Sequence, residues 1–140
     1  VDRVRRDALL KRVGDVGRRQ NNLTLVTLEE FFEGNDDGGS IWCNLPSAPE
    51  PDAVYRILRS IRERSDVADV RVMVTQYDGG DDEWPFSDTV YFVTAASAEN
   101  VVSWLGEDCA PDEASILTTV QSGGPLTIPQ GHKVVACWWD

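Results

Sequence analysis

The sequence predicts an α+β domain of the ferredoxin-like kind: a βαββαβ order, a four-stranded antiparallel sheet with two helices on one face, and an N-terminal extension. Three observations carry this. Val54, Ile57, Leu58 and Ile61 recur at helical spacing, while Arg56, Arg59, Arg62 and Glu63 take the other side. Val70 to Tyr77 and Thr89 to Ala95 alternate at period two with β-branched residues, joined by a glycine- and acid-rich stretch that reads as a long hairpin. A second apolar stripe, Val101, Val102, Trp104 and Leu105, is followed at the end of the chain by an apolar strand from Lys133 to Trp139.

Caps and breakers set the element order. Thr27, Leu28, Glu29 and Glu30 have the form of a capping box, which opens a short helix through Phe31 and Phe32. Gly34 and Asn35 end it, and Asn35 to Gly39 is a loop by composition. Ser40 to Leu45 reads as the first strand. Pro46 to Pro51 is a connector, and Pro51 suits the first turn of the helix that follows. Ser97 caps the second long helix, and Gly106 stops it. Residues 107 to 132, with Pro111, Gly123, Gly124, Pro125, Pro129 and Gly131, read as an excursion that has room for a strand around Ile116 to Val120. Right-handed crossovers would put the first and third strands at the sheet centre.

Charge divides the chain in two. Its 140 residues hold 13 basic and 24 acidic side chains, a formal charge of −11. Residues 1–20 carry Arg3, Arg5, Arg6, Lys11, Arg12, Arg18 and Arg19 against Asp2, Asp7 and Asp15, a charge of +4 that leaves −15 on residues 21–140. The division predicts a basic extension over 1–20 and an acidic α+β domain over 21–140. Gly14 and Gly17 weaken a helix in the extension by about 1 kcal/mol each, so a short helix or arm leaning on the acidic body is expected, dispensable for folding. So negative a body has no electrostatic footprint for nucleic acid. No apolar run of about 18 residues and no signal segment is visible, so no membrane span is expected and the cytoplasm is the default compartment.

Sheet parity supplies a candidate surface. Ile41, Cys43 and Leu45 form a helix-facing row, which turns Trp42 to the opposite face. Val70, Val72 and Val74 do the same and turn Arg71, Met73 and Tyr77 outward, while Val90 and Phe92 inward leave Tyr91 outside. One of Trp138 and Trp139 must join them. Such a face is covered in a monomer, by residues 107–132 or by the Thr27 helix with Phe31 and Phe32, or else it receives a partner. Within the hairpin, Trp84, Pro85 and Phe86 stand beside Asp81, Asp82 and Glu83. The expected partner-binding set is therefore Trp42, Tyr77, Trp84, Phe86, Tyr91, Asp81, Asp82 and Glu83. It would face a basic protein partner, or a second copy through the sheet face.

Catalytic and metal chemistry is sparse. His132 stands alone at the head of the last strand, and Cys43 is the thiol weighed as its partner. Cys43 and Cys137, on the inward rows of their strands, read first as small hydrophobes. Cys109 sits in a loop, and the three thiols have neither zinc-site nor disulfide-framework spacing. Asn35 to Gly38 begins like a calcium loop, yet Pro46 stands where the twelfth-position glutamate is needed. Asp78, Asp81, Asp82, Glu83 and Asp88 read as a solvated face. No catalytic residue, metal site or cofactor is assigned.

The strings LEEFFEGNDDGGSIWCNL, EWPFSDTVYFVT and CWWD resemble a group of small uncharacterised bacterial proteins. The resemblance covers residues 27–140, leaves the basic extension outside, implies a bacterial cytosolic protein and carries no activity. The expected function is a non-enzymatic acidic interaction module, immunity- or inhibitor-like, that binds a basic partner. The alternative is a small metal-assisted hydrolase or ligand-binding domain using Asp36, Asp37 and the loop of Asp81, Asp82 and Glu83.

Overall fold

The computed structural model describes residues 1–19, 24–77, 80–117 and 126–140, with the side chains of 1–15 in the first stretch. Helix α1 (Arg3–Arg19) leads to strand β1 (Leu25–Thr27), helix α2 (Leu28–Phe32), helix α3 (Pro51–Arg62), and strands β2 (Val67–Met73) and β3 (Thr89–Thr94). Helix α4 (Ala98–Leu105), a 3-10 turn (Glu107–Cys109), and strands β4 (Glu113–Leu117) and β5 (Lys133–Trp138) complete it. Among the described residues the five strands form one antiparallel sheet in the order β1-β2-β3-β5-β4. The mixed composition and antiparallel sheet match the sequence reading. The count of four strands does not, and the chain's first strand lies at an edge rather than at the centre.

Backbone conformation explains the difference. Trp42 has a φ of 53°, a left-handed value that a strand cannot contain. The Leu45 N–H donates to the Trp42 carbonyl at 3.2 Å and the Ala48 N–H to the Leu45 carbonyl at 2.9 Å, so the segment expected as a strand is a run of turns. Only Ile41 touches a strand-like partner, as an isolated bridge to Ser87. Ile41 and Trp42 are then both buried in one core cluster, and the alternation that sent Trp42 outward does not apply. The strand role falls instead to Leu25–Thr27, which pairs with Met73, Val72 and Arg71.

Thr27 ends β1 and caps α2 at once. Its Oγ1 accepts from the Glu30 N–H at 3.0 Å, and the Glu30 carboxylate accepts from the Thr27 N–H at 3.1 Å, the reciprocal bonds of a capping box. In α3, Pro51 takes the first turn and Val54, Leu58 and Ile61 are buried. The Ser97 side chain accepts from the Asn100 N–H, and Gly106 ends α4 with a φ of 84°, where a Cβ would be strained.

The core is two-sided. On one face of the sheet, Val70, Val72, Val90, Phe92, Val135 and Cys137 meet Leu9 and Val13 of α1, Phe31 and Phe32 of α2, the apolar stripe of α3, and Val101 and Leu105 of α4. The opposite face carries Leu25, Tyr91, Val93 and Val134. It is not open: buried Leu126 and half-buried Ile128, from the expected excursion, pack across it. Phe31 and Phe32, the other expected cover, sit on the helix side. The added strand in the excursion is β4, and the part expected over 118–120 lies outside the described residues.

Helix α1 shares this core. Leu9 and Val13, one turn apart, are its buried pair. The Asp2 N–H donates to the Gly34 carbonyl at 3.0 Å. A Cβ built on Gly34 would lie 2.7 Å from Arg5 Cδ and 2.8 Å from Asp2 Cβ, so glycine there allows the helix to seat. Removing buried methylenes costs about 2–5 kcal/mol for Leu→Ala. Leu9→Ala is expected to lose stability on that scale in urea unfolding, and Val4→Ala, at an 81% exposed position, under about 0.5 kcal/mol. Small effects at both positions would show that the helix is not anchored by its apolar pair.

Glu29 ties α2 to α3. It accepts from Arg62 Nη1 at 2.7 and 2.9 Å and from the Tyr55 hydroxyl at 3.3 Å. The hydrogen bond from Arg62 holds the Glu29 carboxyl below its ordinary value of 4.5. A depressed carboxyl stabilises the fold above its unfolded value and loses that contribution as pH falls through the lower folded one. Glu29→Gln should therefore flatten the loss of thermal midpoint below about pH 4.5. An unchanged acid limb would remove the ion pair from the account.

Candidate functional site

The hairpin between β2 and β3 stays paired beyond the strands themselves. The Val74 N–H donates to the Thr24 carbonyl at 3.0 Å, the Thr24 hydroxyl donates back to the Val74 carbonyl, and the Thr75 N–H reaches the Phe86 carbonyl at 2.8 Å. Near the tip, the Glu83 N–H closes a turn onto the Gly80 carbonyl at 3.0 Å. Helix α1 holds this turn from one side. Arg6, 7% exposed, donates Nε to the Glu83 carbonyl at 2.7 Å and Nη2 to the Gly80 carbonyl at 2.8 Å, and Arg3 pairs with Asp82 at 2.9 Å. From the other side, the Asp37 carboxylate accepts from the Trp84 N–H at 2.9 Å and from the Gly39 N–H at 2.9 Å.

This double hold sorts the hairpin residues. Trp84 is 3% exposed and Pro85 is buried, while Asp81, Asp82 and Glu83 remain in solvent. Tyr77 is 56% exposed and Phe86 is half-buried. Tyr91 lies on the face opposite the helices, as parity required, but beneath the Leu126 cover, and burial pushes its hydroxyl pKa up. Trp42 packs on Trp139 with ring centroids 4.7 Å apart. The indole Nε1 groups of Trp42 and Trp84 have no hydrogen-bond partner among the described residues, so both indoles pack as hydrocarbon. The structure thus groups Tyr77, Asp81, Asp82, Glu83 and Phe86 on one hairpin, and places Trp42, Trp84 and Tyr91 beneath the surface.

A residue left undecided in the sequence joins the same end of the sheet. Trp138 is 39% exposed, while its neighbour Trp139 is buried, with its Nε1 donating to the Cys109 carbonyl at 3.0 Å. Register sets Trp138 between Thr89 and Glu113. The Asp112 N–H donates to the Trp138 carbonyl at 2.9 Å, the Trp139 N–H to the Asp88 carbonyl at 2.9 Å, and the Asp140 N–H to the Asp112 carboxylate at 2.6 Å. Opposite orientation of adjacent strand residues was the signal that separated the two tryptophans.

Other chemistry is placed by the same geometry. Among the described residues, no three His, Cys, Asp or Glu side chains are grouped to hold a metal ion, and the Asp37 carboxylate is committed to backbone donors. His132 precedes β5, whereas Cys43 follows Trp42, which packs on Trp139 beyond the other end of that strand. At a rise near 3.3 Å per residue those ends are about 20 Å apart, too far for a Cys–His pair. A cavity of about 410 Å³ lined by Phe32, Asn35, Asp36, Glu50 and Asp52 opens between α2 and α3. No helix among the described residues is long and apolar enough to cross a membrane.

Burial pushes the Cys137 thiol up to about 12, and burial with the nearby Asp108 charge raises that of Cys109. Cys43 is exposed, although parity had set it in the core. Native protein should therefore alkylate at Cys43 first and at the other two on unfolding; mass mapping that finds Cys137 labelled at the same rate would refute the burial. Trp84→Ala is expected to cost about 3–5 kcal/mol, the scale of a truncated core aromatic. A stable Trp84→Ala protein in chemical unfolding would return this residue to the surface set.

The family model described as the Uncharacterized protein YfbO family matches residues 4–137. The Escherichia coli (strain K12) protein named Uncharacterized protein YfbO is 41% identical over 128 residues, which cover 91% of this chain and 90% of that protein. No solved structure matches the chain. The resemblance read from motifs was expected to begin at residue 27, but the family match begins within α1. By the extent of both matches, the chain belongs to the YfbO family.

Proposed function

We propose that this protein is a non-enzymatic acidic interaction module whose hairpin end binds a basic protein partner. The observation that supports this reading is that the hairpin already receives arginines from its own chain: Arg6 on the Gly80 and Glu83 carbonyls, and Arg3 on Asp82. Asp81 and the Glu83 carboxylate face solvent beside exposed Tyr77, and the −15 charge of residues 21–140 steers a cationic partner toward them. Tyr77 and Phe86 are the aromatic contacts of the reading. Trp42, Trp84 and Tyr91 support the surface from beneath. An immunity- or inhibitor-like role in a bacterial cytoplasm is the form of this function that suits a small acidic domain.

The test is titration with a basic polypeptide probe, nona-arginine, followed by calorimetry at low and at physiological ionic strength. Binding should saturate, weaken as salt rises, and fall several-fold in an Asp81→Asn, Glu83→Gln double variant. Affinity indifferent to salt and to the double substitution would sink the proposal.

A further inference from the structure

We infer that Trp138 is the seat for an arginine side chain of the partner, stacked on the indole and held by the carboxylates at its edge. This rests on the reading of the protein as an acidic interaction module and specifies where on it the partner's guanidinium goes.

The chain shows the chemistry twice within itself. Arg59 Cζ lies 4.2 Å from the Tyr55 ring centroid, and Arg64 Cζ lies 3.9 Å from that of Trp104. These aromatics have a guanidinium as their lid. Trp138 is exposed and, among the described residues, has neither a cation nor another ring against it. Its surroundings carry the charge such a lid would need: Glu113 lies directly across in β4, and Asp112 and Asp140 stand together at the strand end, the Asp112 carboxylate accepting from the Asp140 N–H. Lys133, the basic residue of β5, is at the opposite end of the strand, with Nζ at the Ala95 carbonyl.

An indole face edged by carboxylates fits a guanidinium better than an ammonium. The planar cation lies flat on the ring while its forked donors reach carboxylate oxygens in the same plane. The seat is also rigid before any partner arrives. Trp138 belongs to a strand paired on both sides, and the next residue, Trp139, is fixed in the core by Trp42 and by its bond to Cys109. Little backbone freedom therefore remains to be lost on binding, and Trp is among the residues that most often act as hot spots.

The full chain, labelled with nitrogen-15, can be titrated with hexa-arginine and separately with hexa-lysine while its five tryptophan indole resonances are followed. Hexa-arginine should shift the Trp138 indole resonance saturably and more than the other four, with hexa-lysine several-fold weaker. Trp138→Ala should weaken hexa-arginine binding about tenfold or more without moving the thermal midpoint, and Glu113→Gln should weaken it several-fold. The resonance shift is read on the unaltered protein, so it stands even if a variant folds poorly. Equal affinities for the two peptides, or a largest shift at another tryptophan, would overturn the assignment. Unchanged affinity in Trp138→Ala, with binding still lost in the Asp81→Asn, Glu83→Gln variant, would overturn it and leave the interaction-module reading in place. Absence of saturable binding by either peptide would overturn both.

Discussion

A single buried guanidinium joins the basic helix to the acidic body. Arg6 is almost withdrawn from water, and it donates to the two carbonyls of the hairpin turn and, from Nη1, to the Asp7 carboxylate at 3.4 Å. A buried charge is tolerated only when its donors are satisfied, so the helix depends on the turn. The turn depends equally on the helix, because its Gly80 and Glu83 carbonyls find their guanidinium partner there. Two further ion pairs of α1, Arg3 with Asp82 and Arg5 with Glu33, are exposed and contribute little, while Arg12 meets Glu30 of α2 at 2.8 Å in a half-buried contact. Leu9 and Val13 supply the apolar burial, on the order of 1.5–3 kcal/mol each. Charge therefore sets where the helix sits, and the apolar pair sets how firmly.

Once the turn is fixed, the acidic loop at 35–39 acquires a structural role. Asn35 is buried, with Nδ2 donating to Ser40 Oγ and its carbonyl oxygen accepting from the Asp37 N–H. Asp37 passes the chain of bonds to Trp84, and the Ser87 N–H closes it on the Ser40 carbonyl at 2.8 Å. An aspartate-rich, glycine-rich string that resembles a cation loop is here a polar rivet between two loops. Negative charge in the sequence does not distinguish these uses; the partner of each oxygen does.

Much of the fold was legible where the determinant is local. The capping box at Thr27, the stripe of α3, the Ser97 cap and the inward rows of β2 and β3 are all set within one helical turn or one strand, and all are present. Strand β1 was hidden because three residues pass directly into a cap, leaving too short a run to show alternation. Trp42 was misplaced because a left-handed tryptophan has no local signal: its conformation accompanies stacking on Trp139, 97 residues away. The site divides in the same way. Exposure of Tyr77, Asp81, Asp82 and Glu83 follows from hairpin composition, whereas burial of Trp84 rests on a bond to Asp37 across 47 residues.

The distribution of cations explains where negative charge is left over. Arg12 meets Glu30, Arg62 meets Glu29, Arg64 meets Asp66 and Arg71 meets Asp69, so carboxylates of α2, of the α3–β2 connection and of β2 are neutralised where they stand. Of the six basic residues after position 20, four lie on or just after α3 and none lies between Arg71 and Lys133. Part of the surplus therefore lies at the hairpin, the start of β4 and the end of β5, with the exposed aromatics Tyr77 and Trp138. Like charges gathered at one end repel, and the compact state bears that cost at low ionic strength. In the proposed interaction module a bound cation would relieve the repulsion and bind only the assembled end, which would link partner binding to fold stability through the same carboxylates. Added salt would then act in two directions, easing the repulsion within the fold while weakening the attraction to the proposed partner.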